Sequence, residues 1–175
     1  MSDFDGHKQD CIENIAISRK EQAMRYVISD YLAKEIGSQY SQDEGCVCVP
    51  SLMIVATEEK EDGNTLVWGD FWVFNYNLAH DTLKTVSGGN HPGLMTLQKE
   101  GDGYTVTSFE QTVDGAGYEA SAKRIFGKHY DVYQNMHSNE DVREAVRKEQ
   151  LKNWVEGNSN ARYYQDFGWP AVELY

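Results

Sequence analysis

The sequence predicts an α+β domain in which an N-terminal helix packs on a curved antiparallel sheet of four to five strands, followed by C-terminal helices. Three observations lead to this prediction. Apolar residues recur with helical spacing before residue 37, strand-like runs separated by turn residues fill positions 46–112, and helical spacing returns after residue 118. Because strands joined by short turns pair antiparallel, the middle of the chain should form one sheet whose face the first helix covers.

The first helix is predicted from a capping sequence and an apolar stripe. Ser18 and Glu21 have the spacing of a capping box, in which their side chains satisfy free amides at a helix start. The stripe that follows has the i, i+3, i+4 spacing of an amphipathic helix and consists of Met24, Val27, Ile28, Tyr31, Leu32 and Ile36. Gly37 is the expected stop, since glycine readily takes the left-handed conformation that ends many helices. The polar residues 1–16 are predicted to form a loose arm.

The sheet is predicted from five strand-like segments and the turns between them. The segments are residues 46–57, 65–76, 78–86, 94–99 and 104–111. Pro50 lies inside the first segment and predicts an edge strand or a bend, since proline cannot donate a hydrogen bond to a neighbouring strand. Clusters of glycine with charged residues, asparagine or proline predict turns at residues 58–64, 87–93 and 100–103.

The segment 65–76, TLVWGDFWVFNY, is apolar on both alternating faces, which predicts a central strand covered on both sides. One face carries Leu66, Trp68, Trp72, Phe74 and Tyr76, and the other carries Val67, Phe71 and Val73. Asp70 interrupts the first face between Trp68 and Trp72. This carboxylate is expected in a pocket, at the wet end of the strand, or hydrogen-bonded to a neighbouring strand beside a bulge at Gly69.

The last third of the chain is predicted to be helical and then aromatic. Helices are expected at residues 118–126, 130–136 and 142–156. The many charges of the last helix, Arg147 among them, predict a solvated face. The tail that follows contains Tyr163, Tyr164, Phe167, Trp169 and Tyr175. A tail this apolar is expected to pack back on the body, with a partner-binding surface as the alternative.

Length and charge limit the organisation and the partners. The 175 residues, 40% of them hydrophobic, predict one domain, 1–175, consisting of the arm, a helix-and-sheet part at 18–112 and an extension at 118–175. The acidic chain has a net charge of −12, which disfavours nucleic acid and anionic membranes as partners. No run approaches the roughly 20 apolar residues that membrane insertion needs. With no signal-peptide core, the chain as written is expected in the cytoplasm, and an export signal removed beforehand is the alternative.

Motifs for metals, cofactors and covalent catalysis are not found in the sequence. The three cysteines, Cys11, Cys46 and Cys48, are too few for a disulfide framework or a thiolate metal site. The glycine-rich segments lack the spacing of a phosphate loop, and no GxSxG sequence occurs, so no cofactor is expected. The histidines, including His137, are expected in surface or capping roles. His91 is the one most favoured for function, because its predicted turn lies at an end of the sheet.

The order of elements over roughly residues 18–112 resembles the cystatin-like and NTF2-like folds, in which a long N-terminal helix lies across a curved antiparallel sheet. It also resembles small uncharacterised bacterial domains of that class. The resemblance implies a cavity between sheet and helix, which NTF2-like ketosteroid isomerases and polyketide cyclases use for catalysis. In those enzymes a buried aspartate is the general base, and a tyrosine or an acid stabilises the enolate. The resemblance assigns the base to Asp70 and the donor to Tyr31, Tyr76 or Tyr104.

The residues favour a non-enzymatic domain that binds a small apolar molecule or a protein, because standard catalytic signatures are missing and the sheet is aromatic. The predicted ligand-binding residues are Trp68, Asp70, Trp72, Tyr76, His91 and Tyr104. A homodimer through the exposed face of the sheet is a further expectation from the resemblance. One alternative is a small cavity enzyme of the isomerase, cyclase or dehydratase type with Asp70 as general base. Another is a regulatory module whose partner docks on the residues after Gly157.

Overall fold

A computed structural model describes residues 19–175, and these form an α+β fold with an N-terminal helix, an open mixed sheet of seven strands and three further helices. The predicted arm 1–16 and the capping residue Ser18 lie outside the described residues. Each of the described helices is too short or too polar to cross a membrane.

The first helix, α1, spans 19–31 and continues as one π turn, Leu32–Ile36, and one 3₁₀ turn, Gly37–Gln39. The strands are β1 (Val47–Cys48), β2 (Ser51–Glu59), β3 (Asn64–Ala79), β4 (Thr82–Glu100), β5 (Gly103–Gln111), β6 (Tyr163–Gln165) and β7 (Val172–Glu173). The other helices are α2 (Tyr118–Phe126), α3 (Tyr130–His137) and α4 (Glu140–Val155). The prediction of an edge strand or a bend at Pro50 is confirmed, because β1 ends before Pro50, β2 begins after it, and within the described residues both strands pair only with β3.

The predicted stop at Gly37 is wrong, because the helical path runs through this residue. Gly37 has φ −59° and ψ −34°, which is right-handed helical backbone. A side chain here would bring its Cβ within 2.6 Å of the Cys48 sulfur, so the glycine is needed for close packing of the helix end against β1.

The sheet is built around the long antiparallel hairpin of β3 and β4. At the Asn64 end of β3, β2 pairs with β3 and β5 pairs with β4. At the other end, β1 pairs with β3, and β6 pairs with the first residues of β4. Since β6 runs parallel to β4 and carries β7 beside it, the sheet is mixed and has seven strands. The prediction of four to five antiparallel strands is therefore too simple.

The turn predicted at residues 87–93 is wrong, because these residues lie in the middle of the 19-residue strand β4. Their glycines serve close packing. A Cβ on Gly88 would lie 2.3 Å from the carbonyl oxygen of Val73, and one on Gly93 would lie 2.2 Å from that of Glu110. The reversal of the chain occurs instead after Ala79, where His80 takes a φ of 57°.

The prediction that β3 is apolar and covered on both faces is confirmed. On one face, Val67, Phe71 and Val73 pack in a core with the stripe of α1. On the other, Trp68 packs with α2 and α3, and Tyr76 packs with α4 and the C-terminal residues. Burial on both sides explains why this strand has no polar face.

The C-terminal extension is partly strand, which the sequence did not predict. Tyr164 and Leu174 are buried in the core formed by Tyr76 and Leu83, so this part of the tail packs back on the body. Phe167 and Trp169 lie on the turn between β6 and β7 and are 99% and 71% exposed.

Gly69 offers a direct test of the packing on β3. An added Cβ would lie 2.2 Å from the ring of Phe71, which is fully buried against α1, so Gly69→Ala should destabilise the fold by about 2 kcal/mol. Gly103→Ala is the matched control, since its nearest neighbour is 3.8 Å away, and it should change stability by no more than about 1 kcal/mol. Urea unfolding of both variants makes the comparison, and equal stabilities would contradict the packing described.

Candidate functional site

Asp70 lies at the centre of a buried polar cluster on the face of β3 opposite α1. Its carboxylate is fully buried and accepts two hydrogen bonds from side chains. Asn90 on β4 donates its amide to Oδ1 at 2.6 Å, and Nδ1 of His137, at the end of α3, lies 3.0 Å from Oδ2. A buried carboxylate needs such partners, because its desolvation is otherwise very costly. Asp70 therefore binds the last turn of α3 to the sheet.

The imidazole of His137 is oriented by this contact. A carboxylate only accepts hydrogen bonds, so Nδ1 carries the proton and Nε2 presents a lone pair in the neutral ring. No described residue hydrogen-bonds Nε2, and the side chain is 36% exposed. The ring stacks on Trp72 at a centroid distance of 6.3 Å, and the guanidinium of Arg143 lies 5.1 Å from the centre of that indole. A histidine whose Nδ1 is held by a buried aspartate has the same geometry as the aspartate–histidine pairs of catalytic triads.

Two tyrosines extend the cluster away from His137. The hydroxyls of Tyr118 and Tyr133 are hydrogen-bonded to each other, and the ring of Tyr133 lies 5.4 Å from that of His137. Burial raises the pKa of both phenols, and the negative charge of Asp70 adds to the increase. Both phenols are therefore protonated at neutral pH and act as hydrogen-bonding groups rather than as bases.

The predicted ligand-binding residues do not form one site. Trp68, Asp70, Trp72 and Tyr76 share the face covered by α2, α3 and α4. Tyr104 packs in the core under α1, as does Tyr31, on the opposite face. The expectation that Asp70 faces a cavity between the sheet and the first helix is therefore wrong. Both faces of β3 are apolar, so the sequence alone did not show which face α1 covers.

His91 was predicted in a turn at the end of the sheet, and this is wrong, since it lies within β4 opposite Phe71. Its Nδ1 lies 2.7 Å from the amide oxygen of Gln111, and its Nε2 lies 2.6 Å from the hydroxyl of Tyr40. An amide oxygen accepts, so Nδ1 donates and Nε2 accepts from the tyrosine. With both nitrogens occupied, His91 joins β4, β5 and the loop after α1.

Arg147 was predicted on a solvated face of the last helix, but its side chain is 97% buried, with 3% exposed. It donates two hydrogen bonds to Asp166, one to the hydroxyl of Tyr76 and one to that of Thr85, at 2.8–2.9 Å. Its guanidinium also lies 3.9 Å from the ring centre of Phe74. Arg147 holds the pKa of the Asp166 carboxyl below its usual range by hydrogen bonding. The pair of Arg147 and Asp166 therefore connects α4 and the end of β6 with β3 and β4.

Several residues of these clusters are not predicted from the sequence as site residues, among them Asn90, His137 and Arg147. Asn90 lies in a glycine-rich stretch that looked like a turn. His137 lies 67 residues from Asp70, and no spacing rule connects a strand residue with a distant helix end. Arg147 was recognisable only by its register, because it is one helical turn before the buried Leu151 and therefore shares its face.

A surface groove of about 820 Å³ lies between α1 and α4 and is called here the helix groove. Its α1 wall contains Gln22, Arg25, Tyr26, Ser29, Asp30 and Ala33. Its α4 wall contains Val146, Glu149, Gln150, Asn153 and Trp154. Its floor is the outer edge of β1 and β2, formed by Cys48, Val49, Pro50 and Leu52.

The helix groove exists because α1 and α4 cover opposite faces of the sheet and meet at one edge. In the described part of the chain, β1 and β2 pair only with β3, so their outer edge has no neighbouring strand. At one residue of this open edge, Leu52, the side chain of Gln150 supplies the missing backbone hydrogen bonds. Its amide accepts from the backbone N–H of Leu52 at 2.8 Å and donates to the carbonyl of Leu52 at 3.1 Å. The side chain thus replaces a strand and fixes the distance of α4 from the edge.

Metal-ligating side chains are not grouped in the part of the chain that the structure describes. No set of three or more histidine, cysteine, aspartate or glutamate side chains within residues 19–175 is arranged to hold a metal ion. Cys48 on the floor of the helix groove is not a reactive thiol, since burial raises its pKa to about 12.

No protein-family model matches this chain, and no curated protein or solved structure does either. The class supported by the fold is therefore an α+β domain with a two-faced, seven-stranded sheet. The resemblance to cystatin-like and NTF2-like folds stays a prediction.

The free Nε2 of His137 can be tested by carbethoxylation at neutral pH. We expect His137 to react several-fold faster than His91, because Nε2 of His137 has a free lone pair while that of His91 accepts from Tyr40. Mass spectrometry of peptides from the folded protein measures both rates in one sample. His137→Gln identifies the signal, and faster reaction at His91 would contradict the orientation described.

The buried pair of Arg147 and Asp166 predicts a stability that depends on pH. Asp166→Asn removes the nearer counter-charge of the buried guanidinium and leaves only the Glu144 carboxylate, 4.0 Å away. The substitution should cost about 2 kcal/mol at neutral pH, which is less than the cost of breaking a fully buried pair, because Asp166 is 41% exposed. The folded-state pKa of Asp166 is lowered, so this stability is present above the unfolded value of 3.8 and is lost as the pH falls through the folded value.

The measurement is urea unfolding of wild type and Asp166→Asn from neutral pH into the acid range, where the two curves should converge. Glu173→Gln is the control, since Glu173 is an exposed acid in the same tail and its removal should have little effect. A stability difference that persists below the folded pKa of Asp166 would show that the ion pair is not its cause.

Proposed function

We propose that this protein is a non-enzymatic binding domain that holds a small molecule in the helix groove. The observation that carries the proposal is the groove itself, with an aromatic side chain on each of its two helical walls, Tyr26 on α1 and Trp154 on α4.

The dimensions and the lining of the groove support this function. Its volume of about 820 Å³ lies within the range of small-molecule sites, which is roughly 300–1,000 Å³. Val49, Pro50 and Leu52 make the floor apolar, while glutamine, asparagine and serine side chains occur along the walls. An apolar surface with a few polar groups that fix orientation is the usual composition of a ligand site.

Tyr26 is the wall residue that folding does not explain. Its side chain is 75% exposed, so it contributes little to the core. A tyrosine in this position offers a large, rigid contact surface that loses little conformational entropy when a ligand covers it. The neighbouring thiol of Cys48 remains protonated because of its raised pKa, which supports binding rather than covalent chemistry in the groove.

A thermal-shift screen of the purified protein against a metabolite panel tests the proposal. A ligand that binds only the folded protein raises the melting temperature, by an amount that grows with its concentration. The shift should disappear in Ala33→Trp, which fills the groove, and should weaken in Tyr26→Ala. Phe167→Ala is the control, since it removes another exposed aromatic ring, one that does not line the groove. Shifts that survive Ala33→Trp would locate the ligand elsewhere and contradict the proposal.

A second candidate function, the small cavity enzyme, is supported by the dyad of Asp70 and His137. Because Asp70 is fully buried with both oxygens occupied, the base would be His137, and Asp70 would be a positioning residue. His137→Gln should then abolish turnover of a substrate while leaving ligand shifts in the helix groove unchanged. If His137→Gln abolished the ligand-induced rise in melting temperature, the helix groove and the dyad would belong to one site, and the assumption of two separate sites would be wrong.

A further inference from the structure

We propose that the ligand of the helix groove is a carbohydrate that presents a pyranose ring. This inference rests on the proposed function and names the chemical class of the molecule that the groove holds.

The charges of the groove walls are neutralised within the protein. Arg25 pairs with Glu21 at 3.0 Å, Asp30 with Lys34 at 2.9 Å, and Glu149 with Lys152 at 3.7 Å, each along its own helix. Arg25 is the only cation among the described lining residues, so a phosphate or carboxylate ligand would find no unpaired positive charge. The groove therefore suits an uncharged molecule.

The uncharged polar groups match hydroxyls. Gln22 and Ser29 lie on the α1 wall and Asn153 on the α4 wall, and no described residue hydrogen-bonds any of these three side chains. Amides and hydroxyls both donate and accept, as each hydroxyl of a sugar does. A molecule with hydroxyls along both edges can bond the two walls at once, which a purely apolar ligand cannot.

The aromatic walls match the other surface of a sugar. A pyranose ring has apolar C–H faces, and these carry the positive partial charge that the negative face of an aromatic ring attracts. Tyr26 and Trp154 supply one such ring on each side of the groove. A fatty acyl chain would instead require an enclosed apolar cavity, whereas the helix groove is a surface feature whose tyrosine is exposed to water.

Saturation-transfer NMR on the full chain tests the inference with named probes: glucose, galactose, mannose, N-acetylglucosamine, maltose and cellobiose. Uncharged compounds that are not sugars, such as indole and cyclohexanol, form the comparison set. We expect saturation of ring C–H protons of at least one sugar. Its affinity should be kept within about threefold in Tyr26→Phe and should fall about tenfold in Tyr26→Leu, which keeps apolar area but loses the ring face. Asn153→Ala should also weaken binding, by about fivefold.

The outcomes separate this inference from the proposed function. Sugar binding that is lost in Tyr26→Leu and kept in Tyr26→Phe supports both. If the comparison compounds bind in the groove and no sugar does, the inference of a carbohydrate ligand is wrong, while the proposed function is still supported. If no compound binds, or if binding survives Ala33→Trp, both proposals fail. If Tyr26→Leu and the wild type bind the sugar with equal affinity, the inference of a carbohydrate ligand is also wrong, because binding then does not need the face of the tyrosine ring.

Discussion

The fold depends on one strand, β3, both faces of which have to be covered by other elements. β3 carries bulky apolar side chains on both faces, and neither face can be left in water without losing a large part of the hydrophobic stabilisation. One helix cannot reach both sides, so α1 covers the first face, and α2, α3 and α4 cover the second. The open edge beside β3 is where the two helical layers meet. The helix groove is thus a direct result of covering both faces of this strand.

The second layer also explains why charged residues lie inside the protein. α3 and α4 are short of apolar residues, and two polar contacts supplement their packing, one at Asp70 and one at Arg147. In each contact a buried polar side chain hydrogen-bonds a partner on another element and helps to fix the position of that element. Asp70 on β3 contacts His137 at the end of α3, and Arg147 on α4 contacts Asp166 directly after β6. Desolvation offsets much of the attraction within a buried polar contact, so these contacts add less stability than their short distances suggest.

Much of the fold could be predicted from local rules, because it follows from spacing along the chain. Short patterns in the sequence predict the stripe of α1, the strand that is apolar on both faces, the bend at Pro50 and the helices after residue 118. The glycines of β4 predict a turn that the structure does not have, because close packing and turns both favour glycine.

Within the candidate site, Asp70 can be predicted from the sequence because it interrupts an apolar face of β3. Its partners cannot, because His137 and Asn90 reach it through tertiary packing, and the helix groove arises from the meeting of distant helices.

The parallel pairing of β6 with β4 has a consequence for synthesis of the chain. Leu83 and Tyr164 are neighbours in the sheet but are separated by most of the second half of the sequence. As the ribosome extends the polypeptide, the β3–β4 hairpin and the core under α1 can form before the C-terminal part is made, since all their residues precede Thr112. The covering of Tyr76 and Leu83 begins with α4 and is completed only when residues 163–174 have emerged. Until then, the nascent protein has one complete core and one apolar surface that is only partly covered.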